Sequence, residues 1–272
     1  MTSRIGVLVG LPERAPVFSE LTAFGLRTCQ LVSWSPALWT ADYAKTVRAE
    51  AARAAVRVTG FWAGWPGPAV WDLVDGPDTL GLVPPAYRAQ RVATMHAALD
   101  FAHAAGVPAL ITHLGFIPEC PKDPLFGELV AVVKEIAEHA RTLGLQFWFE
   151  TGQETPVTML RLIECVGTGN LGINLDPANL ILYGRGNPID ALDVFGGYVR
   201  NVHAKDALYP TDPMQLGHEV KVGEGRVRFP EFVARLESIG FAGEYIIERE
   251  ISGPQQAADI RATVAYLEQV LL

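Results

Sequence analysis

A chain of 272 residues, 49% apolar and 19% charged, can bury a substantial core and is too apolar for intrinsic disorder. Its length suits a single domain over residues 1–272, because α/β barrels reach about 250 residues without dividing. The net charge of −8 argues against a nucleic-acid surface, which needs a concentrated basic face.

The first element is a β-branched run, Arg4–Val9, read as a strand, followed by a helix over Pro16–Phe24 that Gly25 stops. Thr28–Val32 reads as strand two, Ala41–Arg53 as helix two and Val56–Phe61 as strand three. Strand three runs into a Gly- and Pro-rich stretch carrying Trp62, Trp65 and Trp71, and its length up to Pro85 suits a lid. A helix over Pro85–Ala105 ends at Gly106, and strand four, Val107–Thr112, leads to His113. Asp123–Leu143 is the clearest amphipathic helix, with Leu129, Val132, Val133, Ile136 and Ala140 on one stripe. Strand five (Leu145–Glu150), a helix over Thr155–Cys165, strand six (Leu171–Asp176), a short helix over Asn187–Phe195 and strand seven (Val199–His203) follow. After a long loop come a helix over Pro230–Ile239, strand eight (Glu244–Glu248) and a closing helix over Pro254–Leu271.

Eight strand–helix pairs in alternation favour a closed (β/α)8 TIM barrel over an open sheet, because closure needs that number. No Gly-x-Gly-x-x-Gly follows strand one, which removes the simplest nucleotide-binding reading. Cys29, Cys120 and Cys165 are widely spaced with no CxxC and read as reduced thiols. The stretch Met1–Gly10 lacks the basic and apolar regions of a signal peptide. Gly60, Gly64, Pro66, Gly67 and Pro68 disqualify the uncharged run Val58–Trp71 as a membrane span. A cytoplasmic protein with no membrane partner is expected.

Four strands end on metal-ligand types: Glu150, Asp176, His203 and Glu248. The first two gaps, 26 and 27 positions, match one βα unit each, so the side chains converge at carboxyl ends, where barrels build their sites. Alternation puts Asn174 and Gly172 on the face of Asp176, Asn201 with His203, and Trp148 with Glu150, while Leu171, Ile173 and Leu175 face the helices. Asn174 and Asn201 are therefore expected to orient the ligands. Three carboxylates and one imidazole form a hard donor set that suits Mn²⁺ first, then Mg²⁺ or Co²⁺, and Zn²⁺ less. A carboxylate on each face of a substrate also suits removal of a proton α to a carbonyl and its return from the other side.

The motifs Asn174-Leu-Asp-Pro-Ala-Asn179, Val202-His-Ala-Lys-Asp206, Gly223-Glu-Gly225 with Phe229, and Ile246-Ile-Glu248 resemble the xylose isomerase-like barrel proteins, sugar phosphate isomerases and epimerases, over essentially the whole chain. The resemblance to the ketose 3-epimerases implies that Glu150, Asp176, His203 and Glu248 bind the metal. It further implies that Glu150 and Glu248 exchange the proton through a metal-bound enediolate of a carbohydrate substrate. A homodimer or homotetramer is implied too. Two departures stand out: Asn179 replaces a His that contacts substrate oxygens in the ketohexose enzymes, and Tyr209 replaces an Arg. Substrate contacts are expected from His113, Asn179, Lys205, Trp62, His218 and Arg249, with Asp206 either assisting Lys205 or pairing with it. Competing readings are a lyase or dehydratase on a keto-sugar or its glycoside, an apurinic-site endonuclease, which needs more histidines, and a silent sugar-binding barrel.

Overall fold

The computed structural model describes residues 4–271. Met1–Ser3, part of the stretch read for a leader, and Leu272, the end of the expected 1–272 domain, lie outside the described residues. The chain runs β1 (Ile5–Gly10), α1 (Ser19–Ala23), β2 (Thr28–Ser33), α2 (Ala41–Arg53), β3 (Arg57–Ala63), α3 (Gly76–Thr79), α4 (Pro85–Ala105) and β4 (Ala109–Thr112). It continues with α5 (Pro124–Thr142), β5 (Gln146–Glu150), α6 (Pro156–Val166), β6 (Leu171–Leu175), α7 (Pro177–Leu182), α8 (Pro188–Phe195) and β7 (Val199–Ala204). A hairpin of β8 (Asp206–Leu208) and β9 (His218–Val220) precedes α9 (Phe229–Ser238), β10 (Tyr245–Ile247) and α10 (Pro254–Val270).

Eight strands close into a barrel in the order β1-β10-β7-β6-β5-β4-β3-β2, and every neighbouring pair is parallel. This is the expected closed (β/α)8 fold. No helix of the described residues is long and apolar enough to cross a membrane.

Local sequence explains where the later helices start. Asp123, Thr155, Asp176 and Asn187 each accept a backbone N–H through the side chain, and each is followed by a proline in the first turn. The cap satisfies an orphan donor, and proline occupies a position whose own N–H has no helical acceptor. The same signal after β6 makes α7, a helix absent from the expected order. The first helix is shorter than its expected Pro16–Phe24 span; ahead of it the Val17 N–H donates to the Glu50 carboxylate of α2 at 2.7 Å.

Strand alternation sorts side chains as expected. Phe147, Phe149, Ile173, Leu175 and Val202 join the large apolar core with the helices. Trp62, Ala109, Ile111 and Trp148 belong to a separate small apolar cluster, and three of them, Trp62, Ile111 and Trp148, are lateral neighbours on β3, β4 and β5. Glycines make room for them: a Cβ on Gly60 would lie 2.5 Å from Ile111, and one on Gly172 would lie 2.6 Å from Trp148. Two residues further toward the carboxyl ends the interior turns polar. Glu150, Asn174 and Asn201 lie side by side across β5, β6 and β7.

Candidate metal centre

Glu150 ends β5 and Asp176 follows β6, and Thr151 locks the two ends together. Its hydroxyl donates to the Asp176 carbonyl (2.8 Å) and accepts the Asp176 N–H (2.9 Å). Asp176 is divided in function by helix α7. Its Oδ1 caps the helix by accepting the Asn179 N–H at 2.9 Å, while its buried Oδ2 has no hydrogen-bond partner. His203 on β7 turns Nδ1 toward the carboxylates, 3.2 Å from Glu150, 3.1 Å from Glu248 and 3.8 Å from Asp176.

The far side of that ring is held by residues on β2, β6 and β7. Gln30 Nε2 donates to Asn174 Oδ1 (2.8 Å), and Asn201 Nδ2 donates to the same oxygen (2.8 Å). That orientation leaves Gln30 Oε1 as an acceptor 2.8 Å from His203 Nε2. That contact fixes a proton on Nε2 and leaves Nδ1 as the nitrogen turned to the carboxylates. Burial lowers the ring's pKa, but Glu150 and Glu248 outweigh it and hold it well above the ordinary value, so Nδ1 sheds its own proton when it binds a cation. Asn174 Nδ2, itself a donor, lies 3.0 Å from the same ring nitrogen, so the acceptor that Nε2–H uses is Gln30 Oε1. Gln30, which sequence reasoning missed, sits among buried strand residues and carries no charge that would single it out.

One ligand atom from each of Glu150, Asp176, His203 and Glu248 lies within 4.8 Å of the other three. Burial raises the carboxyl of Asp176, with Lys205 and His203 opposing and Glu248 and Glu150 adding repulsion. For Glu150 burial also acts upward, but His203 and His113 hold it well below the ordinary range. Lys205 and His203 likewise outweigh burial at Glu248 and bring it to about 2. Asp176 Oδ2 and His203 Nδ1 are buried, make no hydrogen bond and converge with oxygens of Glu150 and Glu248, positions that a shared cation would satisfy. Three carboxylates and one imidazole fit a hard divalent ion in donor type, spacing and orphaned atoms.

The family profile described as "Xylose isomerase-like TIM barrel" matches residues 18–270. This chain belongs to that family. Among solved members of the xylose isomerase-like fold, a xylose isomerase domain protein from Planctomyces limnophilus shares 38% identity, covering 98% of this chain and 96% of that one with a TM-score of 0.93. A D-tagatose 3-epimerase-like protein shares 20% identity over 98% of this chain and 97% of that one, with a TM-score of 0.74. The same barrel carries the probable 3-DHS dehydratase AsbF from Bacillus anthracis, at 15% identity, 97% and 98% coverage and a TM-score of 0.67. The uncharacterized protein MJ1311 of Methanocaldococcus jannaschii is 26% identical over 166 residues, 56% of this chain. The chain thus spans about half, 54%, of that relative's length.

Around this xylose isomerase-like centre the remaining candidates divide. Trp62 donates its indole N–H to Glu150 Oε2. His113 lies 3.5 Å from Glu150 Oε1, and burial, which lowers its pKa, is outweighed by Glu150, which raises it. Asn179 reaches Glu150 (3.4 Å) and accepts from Lys205 (3.3 Å). Buried Lys205 contacts Glu250 at 2.9 Å, Glu248 at 3.4 Å and Asp176 at 3.6 Å; burial lowers it, but these three carboxylates hold it well above its ordinary value. Trp62, His113 and Asn179 line a 410 Å³ cavity over Glu150 and Glu248.

Three expectations need correction. Arg249 faces away from that cavity, as its place next to Glu248 in the alternation dictates, and pairs with Glu219 and Asp259, each at 2.9 Å. His218 is exposed on the β8–β9 hairpin and does not line the cavity. Asp206 neither assists nor pairs with Lys205: its carboxylate accepts the N–H groups of Ala207, Gly223, Gly225 and Val227 at 2.9–3.0 Å. Tyr209, at the position of the family Arg, is exposed and donates to the Gly186 carbonyl at 3.3 Å.

Proposed function

We propose that this protein is a divalent-metal-dependent isomerase or epimerase of a keto-sugar, working by proton transfer at the carbon next to a carbonyl. The observation that carries the reading is that Glu150 and Glu248, on separate strands and 3.2 and 3.1 Å from His203 Nδ1, both line the one cavity. An ion held by Glu150, Asp176, His203 and Glu248, with Mn²⁺ the leading choice and Mg²⁺ or Co²⁺ next, supplies Lewis-acid stabilisation of the negative charge that develops on the substrate oxygens. Both glutamates are held ionised, so each can act as base toward its own face of a bound sugar. A proton taken by one glutamate has to be matched by one delivered at the other face. His113, 3.5 Å from Glu150, is a neighbour that can carry it, whereas Lys205 beside Glu248 holds its own proton too tightly to give it and instead steadies that carboxylate's charge. Trp62 and Asn179 fix Glu150 in place through its two oxygens.

The epimerase-named neighbours support the choice of reaction, while the dehydratase on the same barrel supports elimination as the second reading. Both begin with α-proton removal, so they part only in the product: an isomer of equal mass or one lacking the β-substituent.

The test is solvent-deuterium exchange over a panel of keto-sugars in the presence of Mn²⁺. Label is expected at a carbon adjacent to the carbonyl, and Glu150→Gln or Glu248→Gln is expected to cut its incorporation at least 100-fold, the scale of a lost general acid–base group. Tight Mn²⁺ binding with no label in any sugar would overturn the reading.

A further inference from the structure

The cavity continues outward past Trp62. Trp34, on the loop after β2, packs its ring on Trp62 at 5.2 Å between centroids, and Trp71 lies 6.4 Å from Trp34 and 5.1 Å from His113. Both therefore stand one aromatic layer beyond the side chains that touch Glu150. They remain 43% and 39% exposed, yet both line the same cavity as Glu150 and Glu248.

Their placement is built into the backbone. A Cβ on Gly64 would lie 2.3 Å from the Trp34 ring, so only glycine lets that indole lie against β3's outgoing chain. Trp65 braces the pair from below, 5.2 Å from Trp34 and 6.1 Å from Trp71. Two indoles packed on one side by other rings and still more than a third exposed at the mouth offer an apolar platform for a ring.

Charge decides what kind of ring-bearing ligand fits. Among the described residues lining the cavity there are three glutamates, Glu150, Glu248 and Glu250, and no Arg or Lys. His113, which does line the cavity, faces Glu150, and Lys205 behind it is already shared by Asp176, Glu248 and Glu250. Arg249, the residue best placed in sequence to hold a phosphate, is spent on Glu219 and Asp259. A phosphate at the outer end would meet three carboxylates with no Lys or Arg among the lining residues to offset its charge. The 410 Å³ volume falls in the range of about 300–1,000 Å³ that holds ligands larger than one small ring.

We propose that the substrate is an uncharged keto-glycoside: an oxidised sugar ring at the metal centre, with a second ring on its anomeric oxygen lying against Trp34 and Trp71. This rests on the sugar reading given above and narrows it to a two-ring, non-phosphorylated class.

Binding separates the two ideas, because it does not require turnover. Calorimetry with Mn²⁺-loaded protein would compare matched hexose probes: the 4-nitrophenyl glycoside, the free sugar and the sugar 6-phosphate. The glycoside is expected to bind at least about tenfold tighter than the free sugar, the scale of one well-stacked ring, and the 6-phosphate no tighter than the free sugar. In Trp34→Ala/Trp71→Ala, and in Gly64→Ala, which displaces the Trp34 ring, the glycoside-to-sugar ratio is expected to fall toward one. No preference for the glycoside in wild-type protein, a preference unchanged by the variants, or tighter binding of the phosphate would each overturn the inference. A glycoside preference without deuterium exchange on any keto-sugar or keto-glycoside would uphold the platform and reject the reaction; exchange without the preference would do the reverse.

Discussion

Gln30 is the residue on which the imidazole ligand depends, although it touches neither the cavity nor a carboxylate of the centre. By donating to Asn174 it presents its own oxygen to His203 Nε2, which selects the tautomer whose Nδ1 is free to bind a cation. Gln30→Leu removes that acceptor and is expected to weaken Mn²⁺ binding by about 10–100-fold, as loss of an outer partner of a metal-binding His does. Gln30→Glu keeps an acceptor opposite Nε2 and should retain more of the affinity. Titration calorimetry on both variants checks this. Equal losses would mean that side-chain volume matters and the acceptor does not.

At the scale of elements, the long segment between β7 and α9 is organised by a buried carboxylate. Asp206 opens β8 and gathers four backbone N–H groups from both ends of the loop, and Gly225 is obligatory there because its Cβ would lie 2.1 Å from Asp206 Oδ1. Asp206→Ala leaves those donors buried without a partner and should cost about 2–4 kcal/mol of stability. It should also open residues 206–228 to limited proteolysis before the barrel itself yields. Urea unfolding and the mapped cleavage sites test both parts.

This segment also marks where sequence reading stops. The strand ends at Glu150, Asp176, His203 and Glu248 were legible because a parallel barrel repeats its spacing and puts alternate residues on one face, so an ionisable group recurring at the same place in successive units stands out. The Asp206 hairpin was not, because its hydrogen bonds join one side chain to backbone groups seventeen to twenty-one residues away, and no periodicity announces them. Helix α7 did carry a readable signal in Asp176-Pro177, a cap followed by proline, but the same aspartate was already claimed as a ligand. In the structure it serves both uses, one with each oxygen. Trp34 escaped notice for a different reason: it is one of six tryptophans and reaches the cavity only because Gly64, thirty residues on, leaves space for its ring.

For the molecule as a whole, the titration of Glu154 should be visible in global stability. This carboxyl, in the loop after β5, is almost fully buried; Oε1 accepts the Gly152 N–H at 3.3 Å, and Oε2 has no partner. Burial pushes it up to about 7 against the opposing pull of His113. An acid whose pKa is raised on folding holds its proton more tightly in the native state, so stability falls as pH rises from about 4.5 to 7 and levels off above. Glu150 and Glu248, with lowered values, act with the opposite sign, and their contribution is lost only as pH falls below the ordinary carboxylate range. The two effects therefore occupy different windows. Glu154→Gln keeps an oxygen for Gly152 and removes the buried charge. With chelator present, so that no bound cation shifts the balance, the variant should match wild type at pH 5 and exceed it by about 1–3 kcal/mol at pH 8. Urea unfolding at the two pH values decides the matter, and a difference independent of pH would show that Glu154 does not titrate between them in the folded protein.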